Sequence, residues 1–136
     1  MKQLEVQGVR AAESGDLVKA LSLFDQAIDL LPERASGYNN RAQALRLMGE
    51  NERAMDDLNK AISLKETHCS GRVNALCQRA LLYRLNGLEE EAMADLQAAA
   101  SAGNSFARRA LIDMNPYSAL CNQMLHQMLQ KLNELK

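Results

Sequence analysis

The sequence predicts an all-α protein made of repeated helix pairs and closed by a C-terminal helical segment. Three observations predict it. Only 7 Gly and 2 Pro interrupt 136 residues, while Ala, Leu, Met, Gln and Glu, all good helix formers, are abundant. Aromatic residues make up 4%, with no Trp, which is lean for a protein built on sheets. Most telling is a pattern of small, small, large and small residues that occurs three times. Gly15, Ala20, Phe24 and Ala27 match Gly49, Ala54, Leu58 and Ala61, and these match Gly87, Ala92, Leu96 and Ala99. Their upstream halves match as well. Leu4, Gly8 and Ala11 pair with Tyr38, Ala42 and Leu45, and those with Leu76, Ala80 and Tyr83.

The elements follow in order. A helix over 3–14 carries Leu4, Gly8 and Ala11 on one face and stops at Gly15, where the chain must reverse and glycine takes a left-handed conformation at little cost. A second helix over 17–30 presents Ala20, Phe24 and Ala27, and Pro32 closes the pair because proline cannot continue a helix interior. Helices over 35–47 and 51–64 repeat the arrangement around Gly49. In all three pairs the small residues mark close crossings: Gly8, Ala42 and Ala80 on one helix, Ala20, Ala54 and Ala92 on the other. Phe24, Leu58 and Leu96 fill the space between one pair and the next. A generic amphipathic bundle would show the 3.6-residue period without these small residues at a fixed interval.

The third pair, over 72–85 and 89–101, is offset. Cys69, Ser70, Gly71 and Arg72 are four residues more than the repeat needs, about one helical turn. They predict either a helix that starts a turn early or a longer loop. Glu89, Glu90 and Glu91 suit the positive N-terminus of the sixth helix while facing water. Gly103-Asn104-Ser105 is a stop followed by a cap, and a short helix over 105–113 is broken at Asn115-Pro116. The last helix, over 117–133, bears Tyr117, Leu120, Cys121, Met124, Leu125, Met128, Leu129, Leu132 and, just beyond, Leu135 at spacings of three and four, a broad apolar stripe. A stack of repeats exposes the inner face of its last member, so this segment is expected to cap it. Alternatively the final helix outruns the repeat it covers and binds a partner or a second chain through its adaptable methionines.

These residues resemble the tetratricopeptide repeat, a 34-residue antiparallel helix pair. The resemblance implies a right-handed superhelix of three repeats over 1–106 (1–34, 35–68 and 73–106), followed by capping helices over 107–136. Longer strings go further. Leu30 to Ala44, Ser105-Phe106-Ala107-Arg108-Arg109 and Asn115 to Asn122 resemble the small tetratricopeptide repeat protein 36 family, as do Leu4 to Gly8 and Ala11 to Leu17. Members of that family carry a further N-terminal segment and are described as binding the heat-shock protein 70-type chaperone. The resemblance implies a chaperone-linked adaptor or co-chaperone.

It also implies where a partner sits. In this repeat the first helix of each pair lines the concave side, and positions 2, 5, 6, 9, 12 and 13 point into the groove. They are Lys2, Glu5, Val6, Val9, Ala12 and Glu13 in the first repeat. The second contributes Ser36, Asn39, Asn40, Gln43, Arg46 and Leu47, and the third Asn74, Cys77, Gln78, Leu81, Arg84 and Leu85. Chaperone-binding members of the superfamily grip a C-terminal carboxylate with Lys and Asn, then Asn, then Lys and Arg. The matching positions here hold Glu5, Val9, Asn40, Asn74 and Gln78, of which only Asn40 fits. Glu5 would repel a carboxylate. The candidate ligand contacts are therefore amides: Asn39, Asn40, Gln43, Asn74 and Gln78 offer donors and acceptors to an extended backbone. Leu81 adds an apolar contact, and Arg46 and Arg84 are placed to pair with acidic side chains.

Other functions are disfavoured. Lys and Arg total 16 against 17 Asp and Glu, which predicts no nucleic-acid partner. No apolar run approaches a membrane span and no leader pattern opens the chain. Cys69, Cys77 and Cys121 lack a framework spacing, which suits reduced thiols in the cytoplasm or nucleus. His68, Cys69 and Cys77 have no fourth ligand for a metal. His126 has no recognisable nucleophile, and Arg108-Arg109 is a short basic pair. No enzyme activity, metal or cofactor is expected.

Overall fold

A computed structural model describes residues 2–64, 69–114 and 116–134. Those residues form helices α1 (Lys2–Glu13), α2 (Leu17–Leu30), α3 (Ala35–Leu47), α4 (Asn51–Ser63), α5 (Cys69–Leu85), α6 (Glu89–Ser101), α7 (Ser105–Met114) and α8 (Pro116–Glu134). Consecutive helices pack antiparallel as α1–α2, α3–α4 and α5–α6, and each pair stacks on the next in a right-handed superhelix. The first helices also touch one another, α1 against α3 and α3 against α5.

The reversals are made by local chemistry. Gly15, Gly49, Gly87 and Gly103 all have positive φ, between 78° and 94°. Each is followed by an N–H that reaches back to the last helical turn, for example Asp16 N to Ala11 O at 2.9 Å and Leu88 N to Tyr83 O at 2.8 Å. This is the hydrogen-bonded stop that glycine makes possible at a helix C-terminus. Asp16 then caps α2 by accepting from Lys19 N at 3.1 Å, and Asn104 caps α7 by accepting from Ala107 N at 2.8 Å.

Packing explains the small residues. Ala20, Ala54 and Ala92 are wholly buried, as are Ala42 and Ala80 to within 1%. A Cβ on Gly8 would overlap the Phe24 ring. Phe24, Leu58 and Leu96 are at most 2% exposed, each contributing about 1.5–3 kcal/mol by burial. Phe24 clusters with Ala11, Ala20 and Ala44, so it joins the first pair to α3. Among the described residues the core is unequal along the stack: one cluster of ten buried residues includes Leu45 and Leu58, and one of four includes Phe24.

Two ion pairs recur with the repeat. Arg41 in α3 donates from Nε and Nη2 to Asp57 in α4, at 2.8 and 2.7 Å, and from Nη1 to Asp25 in α2 at 2.9 Å. Arg79 does the same to Asp95 at 2.7 and 2.7 Å and to Asn59 at 2.9 Å. Each guanidinium therefore ties a helix pair together and joins it to the preceding pair. The bonds to Asp57 and Asp95 raise the two arginines above their ordinary values, against the lowering effect of burial. In the first repeat Gln7 and Leu23 take the places of the arginine and its aspartate.

The four extra residues of the third repeat are resolved in favour of an early helix start, since α5 begins at Cys69 and runs for 17 residues. The end of the second repeat at Glu66-Thr67-His68 lies outside the described residues. α7 lays Ala107, Ala110, Leu111 and Met114 on the core of the third pair. The side chains of α8 are described from Gln123 to Glu134, and every one of them is exposed. Met124, Leu125, Met128, Leu129 and Leu132 are 53–61% exposed. The N-terminal part of the predicted stripe, Tyr117, Leu120 and Cys121, and its end at Leu135 fall outside the described side chains.

Candidate protein-binding groove

The first helices α1, α3 and α5 lie side by side, α1 against α3 and α3 against α5. Position 5 reaches forward every time. Glu5 Oε1 accepts from Ser36 Oγ at 2.6 Å, with Arg34 Nη2 at 3.6 Å from its other oxygen. Asn39 Nδ2 donates to Gly71 O at 2.8 Å. Cys77 Sγ lies 3.6 Å from Asn104 Oδ1, and its burial pushes the thiol above its ordinary value. These contacts span 31, 32 and 27 residues of sequence. Asn39 thereby anchors the extra turn of α5, because Gly71 belongs to that turn.

This places the predicted contacts in three groups. Asn39 and Gln78 are buried, 5% and 8% exposed, between α3 and α5. Gln78 Nε2 donates to Asn39 O at 3.3 Å and to Asn74 Oδ1 at 2.8 Å. Both amide hydrogens of Gln78 are thus directed at protein acceptors. Its Oε1, like Asn39 Oδ1, is buried without a donor, a situation that costs about 1–3 kcal/mol for each group unless something supplies one. Asn40 and Gln43 form the second group. They line a cleft of about 160 Å³ between α1 and α3, with Val9, Ala12, Glu13, Phe24, Ala44 and Leu47. Asn74, Gln78 and Leu81 form the third, on a cleft of about 560 Å³ between α5 and α7.

The larger cleft also contains residues that sequence reasoning passed over: Ser70 and Val73 from the early turns of α5, Asn104, and Phe106 from the first turn of α7. Phe106 is 51% exposed. Its place directly after a helix stop and cap was readable, but not that α7 turns it toward α5. Arg46 and Arg84 line neither cleft. Arg84 is exposed. Arg46 is half-buried with its Nε unpartnered, and desolvation lowers its guanidinium below the ordinary value. Arg72 is exposed and outside both clefts.

Of the five positions matching the carboxylate clamp, Glu5 is buried and occupied by Ser36 and Arg34, and Gln78 spends its donors internally. Among the described residues, neither cleft is lined by a lysine or arginine. The arrangement offers amides and apolar surface, not paired cations. Among the described residues no group of three or more His, Cys, Asp or Glu converges on a point, and no helix is long and apolar enough to cross a membrane. His126 lies exposed on α8 beside Gln130, and Glu89, Glu90 and Glu91 occupy the first turn of α6, exposed.

Residues 35–68 and 73–102 match the tetratricopeptide repeat family. The chain is 52% identical to tetratricopeptide repeat protein 36 of Danio rerio over 97% of its length and 71% of that protein's. It is 53% identical to the Xenopus tropicalis protein of the same name, over 98% of this chain and 66% of that one. With the human protein the figures are 52%, 96% and 69%. Among solved structures, the chain is similar to the first tetratricopeptide domain of Spaghetti (RPAP3) bound to the HSP90 peptide SRMEEVD. The TM-score is 0.71 at 22% identity, covering 87% of this chain and 93% of that one. An NMR structure of the first such domain of human RPAP3 gives 0.71 at 20%, covering 88% and 92%.

Proposed function

The chain belongs to the tetratricopeptide repeat protein 36 family, and from that premise we propose that it is a chaperone-linked adaptor that holds its partner in the concave groove. As a tetratricopeptide-repeat protein it is an interaction module and not an enzyme. The finer reading is that the partner is a heat-shock protein 70-type chaperone, met in the cytoplasm. The observation that carries groove binding is the pair of clefts on the inner wall, lined by amides and apolar side chains. Asn40 and Gln43 serve the first cleft, Asn74, Gln78 and Leu81 the second. Arg46 and Arg84 stand on the same helices to meet acidic side chains of the partner.

A chaperone peptide lies in one structural neighbour, the Spaghetti domain, whose likeness to this chain is one of fold. Carried to this chain, engagement by the carboxylate clamp is disfavoured because Glu5, Asn74 and Gln78 stand where its three cations would be, and Val9 where its first asparagine would be. The chaperone is therefore expected to be held through a folded domain or an internal segment. Titrating the chaperone's C-terminal tail peptide, ATPase domain and substrate domain separately against the full chain tests this. Capture of a domain, weakened by Asn40→Ala with Gln43→Ala, supports the reading. Capture of the tail peptide alone, lost with Asn40→Ala, would restore the clamp, and no capture at all would sink the chaperone link.

A second reading has its own observation, the uncovered apolar side chains along α8 from Met124 to Leu132. In that reading α8 forms a homodimer or docks onto a larger assembly, and residues 107–136 do more than cap the stack. Light scattering on the eluting protein separates the two. A monomer that captures its partner supports the groove, and a dimer lost on removing the residues after Pro116 supports assembly.

A further inference from the structure

We infer that a second contact surface lies outside the groove, on the edge of the stack that carries the turn inside each helix pair. Its occupant is a basic amphipathic segment of a protein partner, seated over a cleft between α4 and α5. The inference is independent of the groove reading.

Antiparallel pairs stacked in one sense bring their inner turns, residues 13–19, 47–53 and 85–91, to the same edge. Every one of those residues is exposed except Leu17, which is half-buried. Five large apolar side chains stand there: Val18, Leu47, Met48, Leu85 and Leu88, at 74, 64, 40, 74 and 43% exposure. Single exposed apolar residues are ordinary on a surface, whereas several gathered together mark a contact. Charge then selects the occupant. The three turns hold seven Asp or Glu against two Lys or Arg, in a chain whose net charge is -1. One of the two cations, Arg53, is already paired with Glu50 at 2.6 Å. Such an edge attracts lysine and arginine set among apolar side chains and repels phosphate, so a basic protein segment fits it and a nucleic acid or anionic membrane does not.

The middle of the edge has a shape of its own. A cleft of about 600 Å³ lies between the start of α4 and the end of α5, and its lining combines Met55 and Leu82 with the amides of Asn51 and Asn86 and the carboxylates of Glu52 and Asp56. Among the described residues neither carboxylate is within ion-pair distance of a cation. They stand four apart on one face of α4, a spacing at which like charges destabilise a helix. The positive helix N-terminus compensates Glu52 in the first turn and has faded by Asp56 in the second. The repeat does not require them either, since the same positions hold Val18 and Ser22 in the first pair and Glu90 and Ala94 in the third. Two unpaired carboxylates beside buried Leu82 and half-buried Met55 match the charged head and apolar stem of a lysine or arginine. The edge also fits in length. Packed helices lie about 8–10 Å apart, so three turns span roughly 20 Å, which a helix of about 14 residues equals.

The test uses the full chain and a peptide of about 14 residues, roughly 21 Å as a helix, made of Leu and Lys at helical spacing with both ends blocked. A second peptide replaces every Lys with Glu. Fluorescence anisotropy is expected to show binding of the Leu/Lys peptide only. Glu52→Lys with Asp56→Lys should weaken it at least about tenfold and make the chain bind the Leu/Glu peptide instead, a gain that loss of folding does not produce. Leu85→Ser should weaken the Leu/Lys peptide several-fold. Asp29→Lys with Glu33→Lys, an equal change of charge away from this edge, should leave its binding within about twofold. No binding of the Leu/Lys peptide overturns the inference. So do equal losses from the two charge reversals, which would mean attraction to net charge alone. Loss on Asn40→Ala with Gln43→Ala, with none on reversal of Glu52 and Asp56, would seat the peptide in the groove and overturn it as well. Self-association of the chain that this reversal abolishes would give the edge to a second copy and overturn it too.

Discussion

Asp57 and Asp95 are each 9% or less exposed at the side chain and each receive two bonds from one guanidinium. Removing either carboxylate leaves a half-buried cation without its partner. Asp57→Ala should cost about 2 kcal/mol, less than the roughly 3–5 kcal/mol of a fully buried pair because Arg41 keeps a quarter of its surface in water. Asp25→Ala, whose carboxylate is 56% exposed, should cost within about 0.5 kcal/mol. Urea melts of the two variants check the contrast, and equal losses would contradict it. Asn39 and Asn40 give a second contrast between neighbours. Asn39→Ala breaks the bond to Gly71 and should cost about 1–2 kcal/mol. Asn40→Ala, on a partly open cleft wall, should stay within about 0.5 kcal/mol, so Asn40 is the cleaner probe of ligand contact. Arg41 and Arg79 occupy the same place in their repeats, each directly before the small residue Ala42 or Ala80. Their carboxylate partners were not legible, because nothing in a period of 34 says which of several acidic residues faces a given arginine.

The helix pairs are alike in outline and unequal in their ties. The second and third pairs each have an arginine–aspartate staple, and the first has Gln7 and Leu23 instead, with the smallest buried cluster among the described residues. In a stack where each unit contacts mainly its neighbours, stability follows local ties and interfaces. Backbone amides of α1 and α2 are therefore expected to exchange with deuterium before those of α3 to α6. Faster exchange in α5–α6 would show that the staples do not set the order. The small residues and glycine stops that define these pairs were legible because each acts within a few residues or across one hairpin. The early start of α5 was legible only as one of two options, and Gly71, held by Asn39, shows what anchors the extra turn.

Across the whole molecule the groove and the last helix are separate features. The described side chains of α8 beyond Gln123 are exposed, so removing residues 124–136 should leave the melting temperature within about 2 °C, where each 1 kcal/mol lost would lower it by roughly 3–4 °C. A drop above about 5 °C would mean that α8 packs on the body in solution. The fold class, the three repeats and the glycine-marked ends of their helices are determined by the sequence alone, because they rest on short-range periodicity and on residues whose size or φ admits few alternatives. Which groove residues remain available to a partner is decided by tertiary structure. Glu5, Asn39 and Gln78 share the groove-facing register with Asn40 and Gln43, yet the stacking of first helices turns them into contacts between repeats. Phe106 of α7 comes to line one cleft with Leu81 of α5. Such contacts join residues about thirty apart through the superhelical packing angle, a quantity that no local pattern of residues encodes.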